Sequence, residues 1–109
     1  MIEWHADPAV TYRAELLGSV TSQVDGMTRY VEAHVLRTEN GYLFRRDLVS
    51  ERPGETTIGA IFSYQTPEIL VRSLMFPGKN RRLYLDLLGI CAETDENVAA
   101  AFASASRWL

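Results

Sequence analysis

From Val10 to Val24 the even positions read Val, Tyr, Ala, Leu, Gly, Val, Ser, Val, while most odd ones are polar: Thr11, Arg13, Glu15, Ser19, Thr21 and Gln23. A period of two over so long a stretch predicts a half-buried strand, bent near Gly18. Asp25-Gly26 and Asn40-Gly41 punctuate the next strand, Met27 to about Thr38, and the one after it, Tyr42 to about Ser50. Both dipeptides are hairpin signals, because a two-residue type I′ loop needs positive φ at both positions. Loops placed there pair Val20 with Val31, Gly18 with Ala33 and Leu16 with Val35 in the first hairpin, and Val35 with Arg46 and Ala33 with Leu48 in the second. The two registers agree. Each turns Val31, Ala33 and Val35 to one face, and a slip of one residue would turn every side chain over. Arg46 is a charge on that otherwise apolar face.

Arg52-Pro53-Gly54-Glu55 fits a type II turn, with Pro second and Gly third, and Thr57 to Tyr64 follows as a fourth strand. Thr66-Pro67-Glu68 suits a helix start as well as a tight turn into a strand. The apolar run Ile69 to Phe76 has no decisive period, but a Pro77-Gly78 turn sets Leu70 opposite Leu85 and Arg72 opposite Leu83. That pairing favours a strand over 69–76, followed by another over Leu83 to Cys91, where Leu83, Leu85 and Leu87 alternate with Tyr84 and Asp86. Thr94 opens a C-terminal helix with Asp95 and Glu96 in its first turn, where negative charge suits the macrodipole. Val98, Phe102, Ala105 and Leu109 form its apolar stripe, with Trp108 beside it. The expected fold is α+β: a curved antiparallel β-meander of five or six strands, closed by one C-terminal amphipathic helix.

This order of elements resembles the pleckstrin-homology and phosphotyrosine-binding type of small barrel, in architecture and in the strand-to-helix ending from Cys91 to Leu109. The resemblance implies a sheet closed into a barrel under the helix. It does not imply lipid recognition, because the first hairpin, Thr21-Ser22-Gln23-Val24-Asp25-Gly26, carries no positive charge.

With 109 residues the chain makes a single domain over 1–109. Its 47% hydrophobic and 23% charged residues belong to a folded chain rather than a disordered one. A formal charge of −3 argues against a general nucleic-acid binder, which needs a basic field to recruit phosphates. No stretch nears the roughly 20 apolar residues that span a bilayer, and Met1 to Asp7 lack the pattern of a signal peptide, so no membrane partner is expected. Cys91 is the one cysteine. Alone it makes neither an internal disulfide nor a thiolate zinc site, and a buried, inert thiol suits a reducing cytoplasm.

The second register sets His34 opposite Asp47, away from the core, with Glu32 and Arg45 nearby. A carboxylate beside an imidazole can orient it for base or metal chemistry. Cross-strand pairs of opposite polarity are also ordinary sheet stabilisers, and no third ligand stands at a telling spacing. No Gly-rich phosphate loop, nucleophile elbow, zinc-ligand spacing or EF-hand loop appears either. No catalytic residue, metal or cofactor is therefore assigned.

Two surfaces remain. Arg72, Lys79, Arg81 and Arg82 gather around the 77–80 turn and suit an acidic partner. The second sheet face is assigned Tyr30, His34, Leu36, Leu43, Val49, Ile58, Phe62 and Tyr64, more apolar surface than an open face normally carries. Barrel closure or cover by an N-terminal arm bearing Ile2 and Trp4 would absorb it; a partner or dimer surface is the other outcome. The functional expectation is a small non-catalytic protein-binding module of the inhibitor, immunity, adaptor or chaperone-like kind. Tyr30, His34, Arg45, Phe62 and Tyr64, with Arg72, Arg81 and Arg82, are its candidate contacts. The alternatives are a homodimer through the same patch, and a small-ligand or enzymatic barrel using His34 and Asp47.

Overall fold

The structure, a computed structural model, describes residues 2–7 and 10–107, with side chains over 14–107. Strands β1 (Ile2–Asp7), β2 (Val10–Thr21), β3 (Arg29–Thr38), β4 (Gly41–Ser50) and β5 (Ile58–Tyr64) are followed by helices α1 (Pro67–Met75), α2 (Arg81–Ala92) and α3 (Glu96–Ser106). The fold is α+β. β2 to β5 form an open antiparallel sheet in chain order, and β1 runs antiparallel along the outer side of β2.

Neither glycine turn is type I′. Asp25 and Asn40 do not take positive φ; Gly26 and Gly41 do, at +87° and +145°. The Met27 N–H donates to the Val24 carbonyl at 3.0 Å across Asp25-Gly26, a turn with glycine where type II requires it. In the second hairpin Glu39 and Asn40 make the loop, and Gly41 pairs with Thr38 as the first residue of β4. A Cβ on Gly41 would collide with the Tyr64 carbonyl and lie 3.0 Å from the Gln65 Cα. This glycine therefore answers to the chain leaving β5, and not only to the turn. The Arg52-Pro53-Gly54-Glu55 turn is type II as expected, with Gly54 at φ +81° and Glu55 N–H on the Arg52 carbonyl at 3.2 Å.

The true partners are Val20 with Ala33 and Gly18 with Val35, then Val35 with Phe44 and Ala33 with Arg46. Each hairpin is two residues from its expected register. In the second hairpin the two-residue loop has slid by one position, and in the first the turn sits at Asp25-Gly26 inside a longer loop, 22–28; both shifts are even, and an even shift leaves every side chain on its face. Val20, Ala33, Val35 and Phe44 thus share one face as the pattern requires. The bend near Gly18 is a β-bulge between Leu16 and Gly18. It turns Leu17 into the core, while Leu16, expected opposite Val35, pairs with Leu36 and is 42% exposed.

The segments read as fifth and sixth strands are helices. Thr66 caps α1, its Oγ1 accepting from the Ile69 N–H at 3.2 Å, with Pro67 in the first turn. Leu70, Val71, Leu74 and Met75 are buried at helical spacing. In α2 the Leu83-Leu85-Leu87 alternation overlies a second pattern, and it is Leu87, Leu88 and Cys91 that are buried, with Tyr84 and Leu85 packed beside them. Short apolar runs satisfy both periods, and packing selects one. Cys91 is therefore a helical residue. α3 begins one residue later than expected: Asp95 is the N-cap, accepting from Asn97 N–H at 2.9 Å and Val98 N–H at 3.0 Å. Leu109, expected on its stripe, Trp108, expected beside it, and the Ile2 and Trp4 side chains lie outside the described residues.

All three helices cover one face. α2 lies on β2 and β3, α1 lies over β4 and β5, and α3 packs on α1 and α2. The core between them joins Leu17, Val35 and Phe44 to Leu70, Leu74, Leu87 and Leu88. Each fully buried leucine contributes about 2–3 kcal/mol of transfer free energy. The expected small barrel does not form: β5 ends one side of an open sheet, because the chain that would have supplied further strands folds as helices across its face.

Candidate functional site

The face away from the helices carries a polar cluster built by three strands. Glu32 and Asp47 face each other across β3 and β4, as do His34 and Arg45. The expected direct pairing of His34 with Asp47 is thus diagonal. One donor atom each from Glu32, His34 and Asp47 lies within 4.8 Å of the others. His34 Nδ1 is 2.7 Å from Ser19 Oγ on β2, and its Nε2 is 4.0 Å from Glu32 Oε2. Arg45 Nε donates to both Asp47 oxygens, at 3.0 and 3.1 Å. Gly59 of β5 sits opposite Asp47, and a Cβ there would lie 2.7 Å from Asp47 Oδ1. The absent side chain is what lets the carboxylate lie over β5. Beside this cluster Ala14, Leu36 and Leu43 are buried with Ile61 packed on them.

The helix face has a dry end and a bare end. Beyond the helices Met27, Val31, Leu48 and Ile58 floor an open groove of about 710 Å³. Leu48 and Ile58 are 42% and 63% exposed. Arg29, Glu55 and Ser50 stand at one rim and Lys79 and Asn80 at another. Arg29 is ion-paired with Glu55, which also accepts from Ser50 Oγ. The Arg29 hydrogen bond is the main reason the Glu55 carboxyl is held down to about 2. Among the described residues Lys79 has no such partner.

At the end of the sheet opposite the groove, α3 meets Arg37 and Tyr42 at a junction the sequence did not single out. Asp95, buried at the start of α3, accepts from Tyr42 Oη at 3.2 Å and Arg37 Nη1 at 3.1 Å as well as from its own helix. Burial, then the Asp95 charge, pushes the Tyr42 phenol up to about 12. The same two causes in the same order push the buried Cys91 thiol up to about 12. The expected inert cysteine is therefore met in its burial and in its raised pKa.

The candidate contacts do not share one surface. Tyr30, His34 and Arg45 lie on the open face, Tyr30 Oη donating to Glu51 at 2.8 Å. Phe62 and Tyr64 lie on the helix face instead, opposite Phe44 and Tyr42. Phe62 stacks on Phe44 with centroids 6.0 Å apart, and Tyr64 Oη is 2.7 Å from Ser73 Oγ. The type II turn at Arg52–Glu55 sits inside a longer loop, 51–57, and does not set the β4–β5 register, so nothing in the sequence transmitted the face across it. Arg72 lines a groove between α1 and α3, apart from Arg81 and Arg82 on α2. Arg46 lies over the Phe62 ring at 5.8 Å, its Nε buried without a hydrogen-bond partner. Ile58, expected on the second face, likewise lies on the helix face, and Leu48 opposite it was missed as a surface, although the expected register already set Leu48 beside the apolar face. No family model, curated protein or solved structure matches the chain. No described helix is long and apolar enough to cross a membrane.

Proposed function

We propose that this chain is a non-catalytic protein-binding module, and that its docking site is the bare end of the helix face. The observation that supports this most is the floor of that groove: Met27, Leu48 and Ile58 stand exposed together beyond the layer that the helices bury. Contiguous apolar surface with a polar rim is the usual composition of a protein interface. The rim selects the partner. Glu55 neutralises Arg29, whereas Lys79 leads into the first turn of α2, where Arg81 and Arg82 stand and no acidic residue does. Helix dipole and side chains there have the same sign, so the partner segment is acidic with two or more apolar anchors. The lone buried Cys91 supports a reducing, cytoplasmic setting.

Panning a random peptide library on the immobilised protein tests this. Enriched peptides are expected to combine Asp or Glu with Leu, Ile or aromatic residues. Their affinity, read by fluorescence anisotropy, falls at least about tenfold in Leu48→Glu and in Ile58→Glu, the loss expected from burying a charge on an interface floor. No enrichment, or peptides indifferent to both substitutions, overturns the proposal. Sedimentation of the free protein separates a homodimer through the same groove.

A further inference from the structure

On the opposite face, we propose that Glu32, His34 and Asp47 form a binding site for one divalent transition-metal ion of the zinc class. One imidazole and two carboxylates are a donor set that zinc and its neighbours accept in proteins, with water completing the coordination. The three donor atoms already lie within 4.8 Å of one another. Ligands about 2.0–2.1 Å from a tetrahedral zinc sit roughly 3.3 Å apart. The closure required is therefore about 1.5 Å at most, within the reach of side-chain rotation.

Features outside the triad favour the site. The ligands stand on two paired strands, whose backbone spacing is fixed, rather than on a loop. Ser19 Oγ holds His34 Nδ1 at 2.7 Å, so the ring presents Nε2 toward Glu32. A hydrogen bond on the far nitrogen is how metal-binding histidines are normally oriented. Arg45 steadies the Asp47 carboxylate without exhausting its lone pairs, since two oxygens offer about four acceptor positions. Gly59 keeps the neighbouring strand clear of Asp47. Burial is graded, with the Asp47 side chain 13% exposed, His34 22% and Glu32 38%. The cluster is shielded at its base and reaches solvent on the Glu32 side, where an ion would enter and keep a water ligand.

Calorimetric titration of tag-free protein with zinc chloride tests this, with cobalt(II) as a second probe whose visible absorption reports nitrogen and oxygen ligands. One ion per chain is expected. His34→Ala weakens binding at least about 30-fold and abolishes the cobalt spectrum, and Asp47→Asn weakens it about tenfold. Ser19→Ala leaves all three ligands in place and still costs about tenfold, the usual loss when an orienting partner is removed. Circular dichroism confirms that each variant keeps its fold. Absence of binding to both ions, binding indifferent to His34→Ala, loss confined to His5→Ala at the one other histidine of the sequence, or a cobalt–thiolate band from Cys91 each overturns the proposal.

Discussion

On the helix side of the sheet Val35, Leu74, Leu87 and Leu88 are buried in one apolar layer, and Asp95 is the one carboxylate buried among the described residues. On the other side a small patch, Ala14, Leu36 and Leu43, borders a half-buried polar row of Glu32, His34, Arg45 and Asp47. The difference separates two jobs. The apolar layer is buried where three helices cover the sheet, and the polar side chains gather where no described helix does. The helix side repeats the division at smaller scale, dry under α1 and α2 and bare at Leu48 and Ile58.

The largest expected effect tests the dry layer. Leu87→Ala removes a fully buried side chain from α2 and should cost about 4 kcal/mol in urea unfolding. A loss under about 1.5 kcal/mol would show that the layer collapses freely and that the contrast between faces is overstated.

Asp95→Ala should cost about 3 kcal/mol, because it uncaps α3, leaves the buried Tyr42 hydroxyl without its acceptor and removes one partner of Arg37. The same junction predicts a pH dependence. Tyr42 and Cys91 both have folded pKa values near 12, above their ordinary 10.0 and 9.0, so folding favours the neutral forms. Their contribution is complete below about pH 9 and is lost as pH rises toward 12. Melting temperature should therefore fall through that alkaline window, and Tyr42→Phe with Cys91→Ala should flatten the fall. An unchanged slope in the double variant would remove the junction from the account.

Leu36→Ala, on the open face, should cost about 2 kcal/mol, less than Leu87→Ala because its cluster is small and can close up. Equal losses at the two positions would erase the distinction between the faces. Arg46→Met is the smallest and of opposite sign. Its guanidinium has a buried Nε without a partner, so an apolar side chain of similar length over Phe62 should stabilise by up to about 1 kcal/mol. A clear destabilisation would mean that the Arg46–Phe62 contact outweighs the unmet donor.

By itself the sequence determined the strands from 10 to 64 and the faces of β3 and β4, because a period of two survives any register error that is even. It marked the bend at Gly18, the Arg52–Glu55 type II turn, the late helix, and His34, Asp47, Glu32 and Arg45 as neighbours. Only the tertiary structure decided the rest. Leu83 to Cys91 carries both periods, and contact with β2 and β3 chose the helix. Phe62 and Tyr64 took their face from pairing with Phe44 and Tyr42, which no local turn dictates. Gly41 is constrained by the backbone at Tyr64, and Asp95 is buried only because α3 docks against Arg37 and Tyr42. Local patterning sets which side chains share a face of one element. What covers that face is set by contacts between segments far apart in the chain, and a periodic signal does not record them.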